Sequence, residues 1–175
     1  MTSRAIVVTL TVALVVVAVL FNLQASPVPE SASGEYAKHF GALNKLSISV
    51  AQAMPAAQYG FRPHTESMDF GQLMIHIATT NYQFCAGLKD TDPPALRSPS
   101  DKDSIVKFLG DSFDYCSTVI PNLTAEQLSQ THNSPDGRLA GREILLAMYV
   151  HVAHHRGQAE IYLGDKGIRP PAYMI

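Results

Sequence analysis

No stretch of this chain carries a run of like charge, and its 13 basic residues against 15 acidic ones leave a formal net charge of −2. Without a basic patch or stripe there is no electrostatic footprint for nucleic acid or anionic lipid, and neither is expected as a partner. Charged residues are scarce, 16% against 46% hydrophobic, which argues against disorder; at 175 residues the chain is long enough to bury the core of one domain. Cysteine is nearly absent, with only Cys85 and Cys116. Two thiols are too few for a cysteine metal site. No internal repeat, no low-complexity segment and no convincing strand can be read.

The N-terminus is a different material. In "MTSRAIVVTLTVALVVVAVLFNLQAS", Arg4 precedes an unbroken apolar or hydroxyl run from Ala5 to Phe21, and Asn22 to Ser26 form a polar, small-residue exit. Residues 1–25 read as a signal peptide cut after Ala25, with an uncleaved membrane anchor as the alternative, because 17 residues lie at the short end of what spans a bilayer. No cysteine directly follows the run, so a lipid anchor has no attachment point. Residues 26–34 would be a linker and 35–175 the domain, delivered outside the cytoplasm to a periplasmic or extracellular location. In that oxidising setting a Cys85–Cys116 disulfide is favoured over two buried thiols.

The exported part reads as all-α. "EYAKHFGALNKLSISVAQAM" places Tyr36, Phe40, Leu43, Leu46 or Ser47, and Val50 on one helical face, stopped by Pro55. The loop "PAAQYGFRPHTES" is rich in turn residues yet apolar enough to pack. A second helix runs from about Met68 to Leu88, capped by Ser67 or Thr65, burying Phe70, Leu73, Ile77, Asn81 and Phe84. A third opens at Ser100 and carries Ile105, Phe108, Leu109, Phe113, Cys116 and Ile120 inward. "TAEQL" matches a capping box for a short helical turn, and "SQTHNSPDG" reads as a loop. The fourth helix begins near Arg138 and ends at Gly164. Four amphipathic helices make a four-helix bundle.

Seven histidines are present, and three of them fall in "HVAHHRGQAE", residues 151–160. His151 and His155 are four apart and stack on one face, the spacing that lets two imidazoles grip one ion. They belong to the stripe Ile144, Met148, His151, His155, Ala159, Tyr162, otherwise apolar and therefore directed at the core. His154 sits on a flank. His76, in "GQLMIHIATTNY" of the second helix, shares a face with Asp69, Leu73, Thr80 and Gln83. For any one histidine alone, a hydrogen-bonded core residue or a surface residue is the simpler reading. A pair at this spacing and a third on another long helix are what a bundle metal site requires.

"HxxxHRGQAEIYL", the earlier "GQLMIHIA" and the "YGFRP" loop together make the chain, from about Ser33 to its end, resemble the DinB-like superfamily of four-helix-bundle metalloproteins. The resemblance implies a divalent metal held by His76, His151 and His155, with His154 as a neighbour. Three neutral imidazoles leave a dication its Lewis acidity and one position open, a catalytic type of site. Nitrogen ligands suit zinc, nickel, iron or copper. Gly157 reads as a point of close helix packing, Gln158 as a hold on a loop carboxylate or carbonyl, and Arg156 as the solvated partner of Glu160. The expectation is an exported metal-dependent hydrolase or transferase of a small molecule, with Asp69, Glu66 or His64 as positional candidates for a general base. The alternative is a noncatalytic bundle tied by the ion. A homodimer stays open.

Overall fold

The structure is a computed structural model and describes residues 31–172. The expected signal peptide or anchor, residues 1–25, lies outside the described residues. Among those described, no helix is long and apolar enough to cross a membrane. Five α-helices and one hairpin follow in the order α1 (Ala32–Ala53), α2 (Phe70–Gly87), α3 (Lys102–Val119), α4 (Ala125–Ser129), β1 (Thr131–Ser134), β2 (Gly137–Ala140) and α5 (Gly141–Asp165).

The four long helices bury the faces their periodicity marks. Phe40, Leu43 and Val50 of α1, Phe70, Leu73, Ile77 and Phe84 of α2, Leu109, Phe113 and Cys116 of α3, and Ile144, Met148 and Ala159 of α5 are all at most 3% exposed. Each large apolar side chain taken from water contributes about 1.5–3 kcal/mol. Around the bundle, α1 packs on α3 and α5, and α2 on the same two helices. The ring order α1, α3, α2, α5 sets α1 diagonal to α2, which the connection 54–69 must bridge. Cys85 and Cys116 form the expected disulfide, with Cα atoms 5.5 Å apart, fastening α2 to α3.

Several boundaries move, each for a local reason. Helix α2 begins at Phe70 under Asp69, not Ser67 or Thr65. Asp69 accepts from the Gln72 backbone N–H at 2.8 Å while Gln72 Oε1 accepts from the Asp69 N–H at 3.0 Å, a reciprocal capping box. The loop supplies the rest, since Phe70 N donates to Phe61 O and Gly71 N to Tyr59 O. Asp101 rather than Ser100 caps α3, accepting from Ser104 N at 3.0 Å. Thr124 and Gln127 cap α4 as "TAEQL" predicts.

The segment expected to be a loop is an antiparallel hairpin. Thr131 pairs with Ala140, His132 with Leu139, Asn133 with Arg138 and Ser134 with Gly137, and the turn is made by Pro135, Asp136 and Gly137 at a φ of +100°. Because β2 takes residues 137–140, α5 starts at Gly141 instead of Arg138. Its C-terminus passes Gly164 to Asp165, and the left-handed glycine is Gly167, whose N–H donates to Gly164 O. The hairpin is anchored by His132, 2% exposed, with one ring nitrogen 3.0 Å from the Asp90 carboxylate and the other 2.8 Å from Gln127 O.

Candidate metal centre

Helix α2 carries His76 and the neighbouring helix α5 carries His151 and His155. All three are half-buried. Ile77 and Met148, fully buried beside them in sequence and stripe, fix the rotation of each helix and so turn the rings toward one another. His76 Nε2 lies 3.0 Å from His151 Nε2 and 3.2 Å from His155 Nε2. One ligand atom from each of the three falls within 4.8 Å of the others. Nitrogens that share a tetrahedral ion at about 2.0–2.1 Å stand roughly 3.3 Å apart, so the cluster has the dimensions of a single shared ion. Among the described residues no carboxylate or thiol joins the group.

Burial lowers the affinity of all three rings for protons. His151 is pushed down to about 4, first by desolvation and then by His155, His76 and His154. His76 is lowered by desolvation alone. His155 is lowered mainly by desolvation, a shift that its bond to Gln158 opposes. Neutral imidazoles are the form that offers lone pairs, so at neutral pH the cluster is ready for a cation without first losing protons.

The surroundings orient the rings in part. His155 Nδ1 is 2.8 Å from Gln158 Oε1, and Gln158 Nε2 is 3.0 Å from His154 Nε2. Gln158 thus holds two histidines, not the loop carboxylate or carbonyl expected of it. Their i,i+3 and i,i+4 spacings from Gln158 are the signal that could have found this. His154 is exposed, beside the cluster and not in it. His151 Nδ1 is buried without a hydrogen-bond partner. Arg156 pairs with Glu160, as expected, but the pair is partly buried, its side chains 12% and 26% exposed. Gly157 is no packing point, because a β-carbon there would meet open space.

The candidate bases stay apart from the histidines. Asp69 is committed to its cap and to Arg62, 3.2 Å away, while Glu66 and His64 are exposed on the loop. None of the three hydrogen-bonds to His76, His151 or His155 among the described residues. Tyr162, at the end of the α5 stripe, donates to Met68 O at 3.0 Å and ties that loop to the helix. A cavity of about 450 Å³ lined by Tyr82, Arg97, Lys107 and Phe108 includes none of the site histidines.

Comparison with known proteins follows the same lines. The DinB superfamily model matches residues 40–159. YjoA of Bacillus subtilis, an uncharacterised protein, is 24% identical over 140 residues, 77% of this chain and 91% of its own. Its crystal structure superposes with a TM-score of 0.68 over 80% of this chain and 97% of that one, at 22% identity. A DinB-like protein from Bacillus cereus gives 0.67 at 14% identity, covering 84% and 100%. YfiT of Bacillus subtilis gives 0.60 at 16% identity, covering 82% and 94%; it is described as a probable metal-dependent hydrolase with an unusual four-helix bundle topology. At these identities the solved structures bear out the DinB-like four-helix fold.

Proposed function

The chain belongs to the DinB superfamily, and on that premise we propose that it is a metal-dependent enzyme, a hydrolase or transferase of a small molecule, with His76, His151 and His155 as the metal ligands. The observation that carries the reading is the convergence of three ε-nitrogens from two helices with no carboxylate among them. A divalent ion bound there, zinc, nickel or iron, supplies Lewis acidity toward water or a substrate oxygen, since three neutral ligands leave its charge uncompensated. The chain's own part is to hold the three lone pairs: burial keeps the rings neutral, and the packing of α2 on α5 keeps their nitrogens together. The description of YfiT supports hydrolysis over transfer. Export belongs to the proposal as well, supported by the apolar run from Ala5 to Phe21 and by the Cys85–Cys116 disulfide.

One observation favours a second reading, a noncatalytic bundle in which the ion ties α2 to α5. Asp69 is spent on its cap, and among the described residues no carboxylate joins the histidines. The two readings separate in a screen of the zinc-, nickel- and iron-loaded protein against esters, amides and phosphoesters, beside His151→Ala. The enzyme reading expects turnover that chelation abolishes and that falls at least ~100-fold in the variant, a loss of about 2.7 kcal/mol of transition-state stabilisation. A metal that raises the melting temperature while turnover stays at the level of the variant on every substrate supports the noncatalytic reading.

A further inference from the structure

We infer that Gln158 is the positioning residue of the metal site, fixing His155 as the Nδ1–H tautomer. The inference rests on the three-histidine reading above. A carbonyl oxygen only accepts, so Gln158 Oε1, 2.8 Å from His155 Nδ1, requires the proton on Nδ1. The lone pair is then on Nε2, the atom 3.2 Å from His76 Nε2. An amide reversed end for end would instead donate to Nδ1 and turn the Nε2 proton into the cluster, where it would block a cation. The other end of the amide, Gln158 Nε2, stands 3.0 Å from His154 Nε2 and donates to it when that ring presents its lone pair.

The spacing makes this relay a property of the helix. Gln158 lies one turn after both histidines, three residues from His155 and four from His154, so one side chain reaches the two rings. Of the two site histidines on α5, only His155 has its outward nitrogen bonded, because His151 Nδ1 has no partner. Hydrogen bonds to the outward nitrogen of a metal-binding histidine typically change metal affinity 10–100-fold. The third histidine of "HVAHHRGQAE" stands outside the cluster, against the other end of the Gln158 amide.

Two readouts on the full chain test this: imidazole ¹⁵N resonances of the metal-free protein, and zinc affinity by chelator competition. The parent is expected to show His155 protonated at Nδ1. Gln158→Leu should lose that protected N–H and bind zinc roughly 10–100-fold more weakly. Gln158→Glu, whose carboxylate still accepts from Nδ1–H, should keep both properties. An Nε2–H tautomer in the parent, or zinc binding by Gln158→Leu as tight as the parent's, overturns the inference. If no form binds zinc, the metal reading falls while the tautomer measurement still decides the role of Gln158.

Discussion

Burial acts twice on His151. It makes a charged imidazolium costly, and it leaves the neutral ring with a lone pair that only a cation or a hydrogen-bond donor satisfies. The same desolvation lowers His76 and His155. A pH dependence follows for the metal-free protein. Unfolded histidines take up protons near 6.5, whereas folded His151 does so only near 4. Between those values the unfolded chain binds more protons, so the stability these rings contribute is complete above pH 6.5 and is lost as the pH falls toward 4. Melting temperatures of the metal-free parent from pH 7.5 to 4 should drop more steeply than those of His151→Ala. Parallel curves would show that His151 titrates as it does in water.

At this scale the sequence was most legible where a residue's neighbours share its helix. The stripe from Ile144 to Tyr162 placed His151 and His155 on the inner face and His154 on the flank, and the structure does the same. That His76 would meet them depends on which helices become neighbours, and periodicity within one helix carries no such information. The family resemblance supplied it. The contacts of Gln158 are not legible in the sequence, because an exposed amide is equally compatible with a loop, water or a ring one turn away.

Elements were legible in kind and less so at their ends. The long helices were readable because four faces repeat every three to four residues. The caps were misplaced where several hydroxyl and carboxylate residues compete: Thr65, Ser67 and Asp69 all precede α2, and only Asp69 has Gln72 three residues on to reciprocate. The hairpin is not legible because Thr131 to Ser134 lack the β-branched and aromatic alternation that marks a strand, though the Pro-Asp-Gly turn is present. It docks through a glycine contact. A β-carbon on Gly87 would stand 2.1 Å from the carbonyl oxygen of Asn133. Gly87→Ala should cost about 1–3 kcal/mol, as overpacking does. Gly157→Ala, facing open space on α5, should be neutral or gain up to ~1 kcal/mol. Chemical denaturation of the two variants checks the contrast, and equal effects would contradict the docking.

Across the whole bundle, the pieces converge on the contact between α2 and α5. The disulfide fastens α2 to α3 at Cys85, about two and a half turns beyond His76, and the capping box with the loop hydrogen bonds fixes the opposite end of α2 at Asp69. Tyr162 holds α5 to that same loop through Met68. Helix α2 is thus secured on either side of His76 and α5 beyond His155, which suits a site whose three nitrogens must stay within a few tenths of an ångström of a common spacing.

The measurement that tests this most directly is metal stoichiometry: elemental analysis of the protein after incubation with zinc, nickel or iron and removal of excess, beside His76→Ala, His151→Ala and His155→Ala. Close to one equivalent in the parent, with loss in each of the three folded variants, is the predicted result. A parent that retains no metal, or variants that retain as much as the parent, would contradict it and leave the three histidines as polar members of a helical core.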